Sequence, residues 1–451
     1  MNFKIKEIKT NLSPFDIYNV FKNEEDSAFL DSSKEDKELS KYSFIGINKV
    51  EEIEGINGEV FINSKSIGKE DYFLELEKRI EHYKLDYKSE IPLLSGFIGY
   101  ISYDAGRTLE KLPDTSTEDF NIPHMKFILY NNIIIFDLVN KKTFITSLGY
   151  KETDIEEIES KILNVKKAED IELTDKNIKF YSNFTKEEYI EALRKLKNYI
   201  KEGDIYITNM TQRFYCHNDE NPFFIYSKLR KINKAPFSAY LNYKDFQIIS
   251  SSPERFIKIQ DRMVMTRPIK GTRPRGKDKK EDLFYKKELE NSEKDKSELL
   301  MIVDLERNDL SKVCENNSVN VTELFKIEEY ATVFHLVSEI VGKLKKENSA
   351  VKCIKEAFPG GSITGAPKIR SMEIIEELEG VKRNLYTGSI GYFDLRGNSD
   401  LNIVIRTIIK KDNKAYFGVG GGITFESNEE EEYYETIQKA KALMRVLRWE
   451  R

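Results

Sequence analysis

Residues 246–271 read FQIISSSPERFIKIQDRMVMTRPIKG. Short runs of isoleucine, valine and phenylalanine are broken by Ser-Pro, Asp-Arg and Arg-Pro. Each run is too short for a helix and stops at a turn former, which predicts consecutive strands. AYLNY (239–243) and GDIYITNMTQRF (203–214) extend the series toward the N-terminus. A helix precedes them: Thr185 and Glu188 make a capping box, Ile190, Leu193, Leu196 and Ile200 form an apolar stripe, and Gly203 stands at the C-terminal cap.

Further out, YSFIGI (42–47), GFIGYISY (96–103) and NNIIIFDL (131–138) predict strands buried in sheets. Residues 151–175 are charged and poor in aromatics, and read as a helix leading into a linker. The expected division is 1–150, a linker over 151–183, and 184–451. Past residue 271, helices expected over 280–312, 351–358, 366–378 and 428–447 alternate with the strands SIGYFDL, LNIVIRTIIK and KAYFGVG. The fold class that follows is α+β, with large, mainly antiparallel sheets and helices on their outer faces.

Composition narrows the function. With 451 residues and a formal net charge of −5, the chain lacks the basic surface that a general nucleic-acid binder needs. Cys216, Cys314 and Cys353 are odd in number and far apart, so no disulfide framework is implied, and the four histidines have no zinc spacing. No run of 18 apolar residues and no signal-peptide core is present, which makes a cytoplasmic protein without membrane contact the expectation.

Two helices carry acids at i, i+3 spacing. In KDKSELLMIVDLERNDL (294–310) these are Asp295 and Glu298; in the last helix they are Glu432 and Glu435. Tyr433, Ile437, Ala440, Met444 and Leu447 define that helix's apolar side, with Glu432, Glu435 and Lys439 at its margin. A lone pair of this kind is usually a solvated face, but two facing pairs suit Mg²⁺, which takes few protein oxygens. Glu429, Glu430 and Glu431 read more simply as acids offsetting the helix dipole. FPGGSITGAPKIR (358–370) lacks the phosphate-loop spacing and GVGGGITF (418–425) lacks the dinucleotide pattern, leaving close approach to a ligand or plain tight turns. Lys270 stands among Arg267, Arg273 and Arg275 and beside Gly271. Nearby cations and partial burial favour the neutral, nucleophilic amine of a lysine. Glu254, expected on a neighbouring strand of a hairpin, could move a proton across to it. The residues by themselves describe a buried site for an anionic substrate, served by Mg²⁺.

SPERF, PIKGTRPRG, ELLMIVDLERNDL, VFHLVSEIVG, FPGGSITGAPKIRSMEII, GSIGYFDL, IVIRT, GVGGGIT and EEYYETIQKAKAL stand in the order found in chorismate-utilising enzymes, which the chain resembles. The resemblance is strong over 184–447 and looser upstream, through FLDSS, KYSFIG and GFIGYISYD. It implies a two-lobed β-sandwich. It also implies that Glu298 and Glu435 hold Mg²⁺, with Asp295 and Glu432 beside them, and that the metal holds the ring carboxylate of chorismate. Arg406 and Tyr386 would grip the enolpyruvyl carboxylate, the Gly422 backbone and Lys439 would complete the anion pocket, and His335, Thr364 and Thr272 would line the ring.

Water-using members carry a lysine where this chain has Ile207, and ammonia-using members usually carry glutamine there, so Ile207 departs from both. Of the ammonia-using branches, the anthranilate-forming one typically has alanine at the position of Lys270, whereas the aminodeoxychorismate-forming one has lysine. The resemblance therefore implies amination of chorismate at C4, with Lys270 attacking C2 and Glu254 as general acid. NKAPFSAYL (233–241) is similar to the same branch. It further implies a tryptophan site at Ser32, Tyr42, Ser43, Pro236 and Phe237. No cysteine–histidine glutaminase pattern is present, so ammonia is expected from a separate glutamine amidotransferase subunit or from solution. The rivals are an anthranilate-forming component I and a non-catalytic chorismate- or tryptophan-binding regulator; a regulator has no need of a nucleophile.

Overall fold

The computed structural model describes residues 2–34, 39–150, 155–165, 174–329 and 333–450. The opening stretch forms four strands, Gln247–Ser252, Arg255–Gln260, Met263–Thr266 and Ile269–Pro274. They are not all neighbours. Gln247–Ser252 pairs with Phe237–Asn242 and Thr407–Lys411. Arg255–Gln260 pairs with Met263–Thr266 and Ser399–Asn402. The chain thus passes from one sheet to the other at Pro253 and Glu254, and returns between Asn402 and Thr407.

The first sheet runs through Ile207–His217, Lys414–Ile423, Thr407–Lys411, Gln247–Ser252, Phe237–Asn242 and Ser27–Asp31. The second runs through Val333–Lys343, Met263–Thr266, Arg255–Gln260, Ser399–Asn402, Ser389–Asp394 and Gly96–Ile101. Two long strands, Tyr42–Ile56 and Met125–Asp137, join them. The outer half of Tyr42–Ile56 pairs with Ser27–Asp31, and the outer half of Met125–Asp137 pairs with Lys142–Ser147. The inner halves pair with Glu59–Ile62 and Gly96–Ile101. A register shift between Lys49 and Glu51 marks the bend. Met125–Asp137 is buried along its whole length and reads as apolar runs broken by Asn131 and Asn132, while Tyr42–Ile56 is apolar only up to Ile47 and carries Lys49, Glu51, Glu52 and Glu54 beyond it.

Helices cover the outer faces. The capping box at Thr185 and Glu188 is present, and Gly203 closes the Lys186–Glu202 helix at φ 85°. Three details depart from expectation. The helix expected over 280–312 is two, Lys279–Glu290 and Glu293–Val313, because Ser292 caps a fresh start with its hydroxyl accepting from the Asp295 amide at 3.3 Å. The Glu429–Arg448 helix is rotated: Glu432, Thr436, Ala440, Leu443, Val446 and Leu447 are buried, while Tyr433, Ile437 and Met444 are half-buried. Glu432 thus lies on the buried face, and the expected stripe is its edge. Finally, Pro14–Phe21, Tyr72–His82 and Pro222–Ile232 are helices that local periodicity did not announce.

Ile155–Leu163 is helical, as the charged stretch suggested, while residues 151–154 and 166–173 of the expected linker lie outside the described residues. The three cysteines are buried free thiols. No helix among the described residues is long and apolar enough to cross a membrane.

Candidate active site

A cavity of about 560 Å³ opens at the seam where the chain changes sheets. Glu254 sits at one crossing and Arg406 at the other, and both line it. Lys270 enters from the Ile269–Pro274 strand. That strand pairs with Val333–Lys343, not with the strand that follows Glu254, so the two residues are not hairpin neighbours. A bulge aims the lysine: Lys270 faces Leu336, Thr272 faces His335, and Gly271 between them has no partner. Gly271 has φ 71°, and a Cβ there would come within 2.9 Å of the Asp295 carboxyl carbon. Only glycine meets both conditions.

Ser362 connects the lysine and the acid. Lys270 Nζ donates to the Ser362 carbonyl at 3.1 Å, and the Ser362 hydroxyl donates to Glu254 Oε1 at 2.8 Å. Burial raises the Glu254 carboxyl above its ordinary range, with the Ser362 hydroxyl, Lys270 and Lys439 opposing. A carboxyl so placed favours its protonated form, the one a general acid needs. Sequence reasoning missed Ser362, although it lies inside the glycine segment FPGGSITGAPKIR.

The arginines beside Lys270 are not a cationic cloud, contrary to expectation. Arg267 is held by Glu328, Glu323 and Glu339; Arg273 by Glu288 and Asp295; Arg275 by Asp282. The groups that face Lys270 across the cavity are acids, because its charge acts on Glu254, Glu298 and Glu435.

Asp295, Glu298, Glu432 and Glu435 all line the cavity. Glu435 pairs with Lys439 at 2.7 Å, Asp295 with Arg273 at 3.1 Å, and Glu432 accepts from the Ser427 hydroxyl at 2.7 Å. Burial raises Glu298, and the charges of Asp295 and Glu432 add to it against Lys270 and Lys294. Burial also raises Glu432; at Glu435 burial is opposed by Lys439, Lys294 and Lys270, which together lower it. Among the described residues no three acidic, histidine or cysteine side chains converge as a metal cage. What exists is an open carboxylate face, the donor set that suits a cation keeping several waters and one or two carboxylates. The glycine run lies against it: a Cβ at Gly421 would sit 3.3 Å from Glu432 Oε2, and one at Gly422 would sit 3.5 Å from Lys270 Nζ and 3.9 Å from Glu298 Oε2.

On the other side, Arg406 has φ 52° at the crossing. It bonds Asn233 Oδ1 at 3.3 Å and has no carboxylate partner among the described residues. Burial lowers its guanidinium, and Tyr386 opposes this. A half-buried guanidinium facing a cavity in this way suits an anionic ligand. His335 bonds Thr272 Oγ1 through Nδ1 at 3.0 Å, and burial with Arg406 nearby pushes it down to about 4, so it stays neutral. Lys439 donates to the Gly420 carbonyl at 2.9 Å. The family of chorismate binding enzymes matches residues 25–445 of the sequence behind this arrangement.

The chain belongs to the chorismate binding enzymes.

Aminodeoxychorismate synthase component 1 of Salmonella typhimurium is 40% identical over 358 residues, 79% of this chain and 78% of that protein. Anthranilate synthase component 1 of Lactococcus lactis is 34% identical over 453 residues, 98% of this chain and 99% of that one. The crystal structure of anthranilate synthase component I from Streptococcus pneumoniae superposes with a TM-score of 0.81 at 32% identity, covering 92% of this chain and 94% of that chain. The expected α+β fold of this family is therefore the observed one.

Two residues of this chorismate binding enzyme stand differently from the site expected of them. Thr364 is fully buried behind the cavity wall, where its hydroxyl donates to the Gly360 carbonyl at 2.9 Å. Ile207 presents Cδ1 beside Gly422, so an apolar group stands where relatives were expected to carry a polar one. A separate cavity of about 410 Å³ lies between the two halves of the chain, lined by Ser32, Tyr42, Pro236 and Phe237 among others. Ser43 stands just behind it, its hydroxyl accepting from the Ser32 amide at 3.0 Å.

Proposed function

We propose that the chain is the chorismate-aminating component I of an aminodeoxychorismate synthase, converting chorismate and ammonia to 4-amino-4-deoxychorismate. The observation that carries this reading is that Ser362 ties Lys270 and Glu254 together in a cavity that also holds Arg406, which has no carboxylate partner among the described residues. Arg406 and Tyr386 anchor the enolpyruvyl carboxylate. Lys439 and the backbone near Gly422 close the opposite side, and Thr272 with neutral His335 lines the ring. Glu298 and Glu435 would hold Mg²⁺, with Asp295 and Glu432 beside them; once bound, the ion neutralises the ring carboxylate.

Lys270 Nζ adds to C2 and both ring double bonds shift, C1=C2 to C1=C6 and C5=C6 to C4=C5. The C4 hydroxyl leaves as water on taking the Glu254 proton, and the proton shed by the added amine restores Glu254. Ammonia then forms a bond to C4, both double bonds shift back and the C2–N bond to Lys270 breaks; the proton released by the incoming nitrogen returns to the lysine. Ammonia comes from a glutamine amidotransferase subunit, a partner consistent with the "component 1" naming of the relatives. The cavity beside Ser32, Tyr42, Ser43, Pro236 and Phe237 takes tryptophan. A second reading, anthranilate synthesis, draws on the near-complete coverage of the Lactococcus relative.

Incubating the pure chain with chorismate, Mg²⁺ and an ammonium salt separates the two. The expected product is 4-amino-4-deoxychorismate, which an added lyase turns into 4-aminobenzoate; fluorescent anthranilate would move the chain to the second reading. Glu298→Ala is expected to lose Mg²⁺-dependent turnover by about 100-fold, since a carboxylate facing the cation is removed. An unchanged Mg²⁺ titration would take Glu298 out of the metal site.

A further inference from the structure

Behind the cavity, Glu306 lies two helical turns past Glu298 on the Glu293–Val313 helix, and its carboxyl reaches the buried Thr266 hydroxyl. Thr266 Oγ1 is 2.7 Å from the Phe256 carbonyl oxygen and 2.9 Å from Glu306 Oε2. A hydroxyl has one proton to give, and a carbonyl has none. Both contacts are hydrogen bonds only when Glu306 carries a proton, donates it to Thr266, and Thr266 donates onward to Phe256. Burial pushes Glu306 up to about 8; the Thr266 hydroxyl and Lys368 oppose this, and the charges of Glu254 and Asp309 reinforce it. Lys368 is already held by Asp309 at 2.7 Å and the Ala357 carbonyl at 2.9 Å.

Three functional pieces meet at this contact. Phe256 follows Glu254 by two residues, Thr266 precedes Lys270 by four, and Glu306 shares a helix with Asp295 and Glu298. We propose that protonated Glu306 is a positioning residue, tying the general acid, the lysine and the carboxylate-bearing helix into one geometry through Thr266, and that its ionisation loosens the tie. This rests on the amination reading above. Glu306 touches no reacting atom, and no step consumes its proton.

The test compares kcat against pH for the full chain and its Glu306→Gln and Glu306→Ala variants, with chorismate and Mg²⁺ at constant free ammonia. Wild type is expected to lose kcat above about pH 8. The glutamine variant, which keeps a donor, should stay within about threefold at neutral pH and lose that limb; alanine should lower kcat about tenfold with KM little changed. Coincident wild-type and glutamine profiles would overturn the proposal.

Unfolding in urea across pH 4–9 gives a readout that needs no activity. The unfolded carboxyl releases its proton near 4.5 and the folded one near 8. Wild type should therefore lose stability relative to the glutamine variant between those values and level off above them. A pH-independent difference would overturn the protonated state, whether or not the chain aminates chorismate.

Discussion

Lys270→Ala is expected to cut formation of 4-amino-4-deoxychorismate by about 10⁴-fold or more, the scale on which removing a covalent nucleophile acts. Two other lysines line the cavity, and both face acids: Lys439 is held by Glu435 and the Gly420 carbonyl, and Lys294 lies 3.9 Å from Glu432. Alanine leaves the bulge at Gly271 intact, so the loss should come without a loss of fold. It also opens space beside C2, where ammonia can attack directly, and a trace of fluorescent anthranilate is expected. Product chromatography and fluorescence measure both. Undiminished 4-amino product would refute the covalent route while leaving chorismate binding untouched.

Arg406→Ala is expected to raise KM for chorismate by roughly 30- to 1,000-fold, the equivalent of ~2–4 kcal/mol of charge-assisted binding. The figure is high for one side chain because Arg406 has no carboxylate partner among the described residues to fall back on. Arg406→Lys should recover little, since an ammonium cannot reproduce a two-pronged grip on a carboxylate. Steady-state kinetics with varied chorismate decide this. An unchanged KM would put the anchor elsewhere.

Much of this site was legible because its acids follow helical spacing and its strands follow runs of β-branched residues. Asp295 with Glu298, and Glu432 with Glu435, are set by local periodicity, and the two helices do bring them to one cavity. What periodicity could not carry was pairing at a distance. Nothing in TRPIKGTRPRG says that Arg267 will meet Glu328, or that Arg273 will meet Glu288. Lys270 therefore looked like a lysine among cations, yet folding gave those cations other partners. Ser362 was hidden for the same reason: its role comes from touching residues 92 and 108 positions away. The rotation of the last helix is subtler. A buried Glu432, satisfied by Ser427, looks polar in sequence and pulls the apparent apolar stripe toward Tyr433.

The two long strands shared by both sheets bear on how the molecule is made. Ser27–Asp31 finds its second neighbour only in Phe237–Asn242, and Gly96–Ile101 only in Ser389–Asp394. A ribosome adding residues in sequence therefore leaves an open apolar edge on each sheet, the second for tens of seconds before its partner emerges. Such edges are templates for pairing with the wrong chain, and contacts this distant slow folding. The newborn N-terminal third is thus the stretch most in need of a chaperone, and a gene cut near residue 150 would express both edges permanently bare.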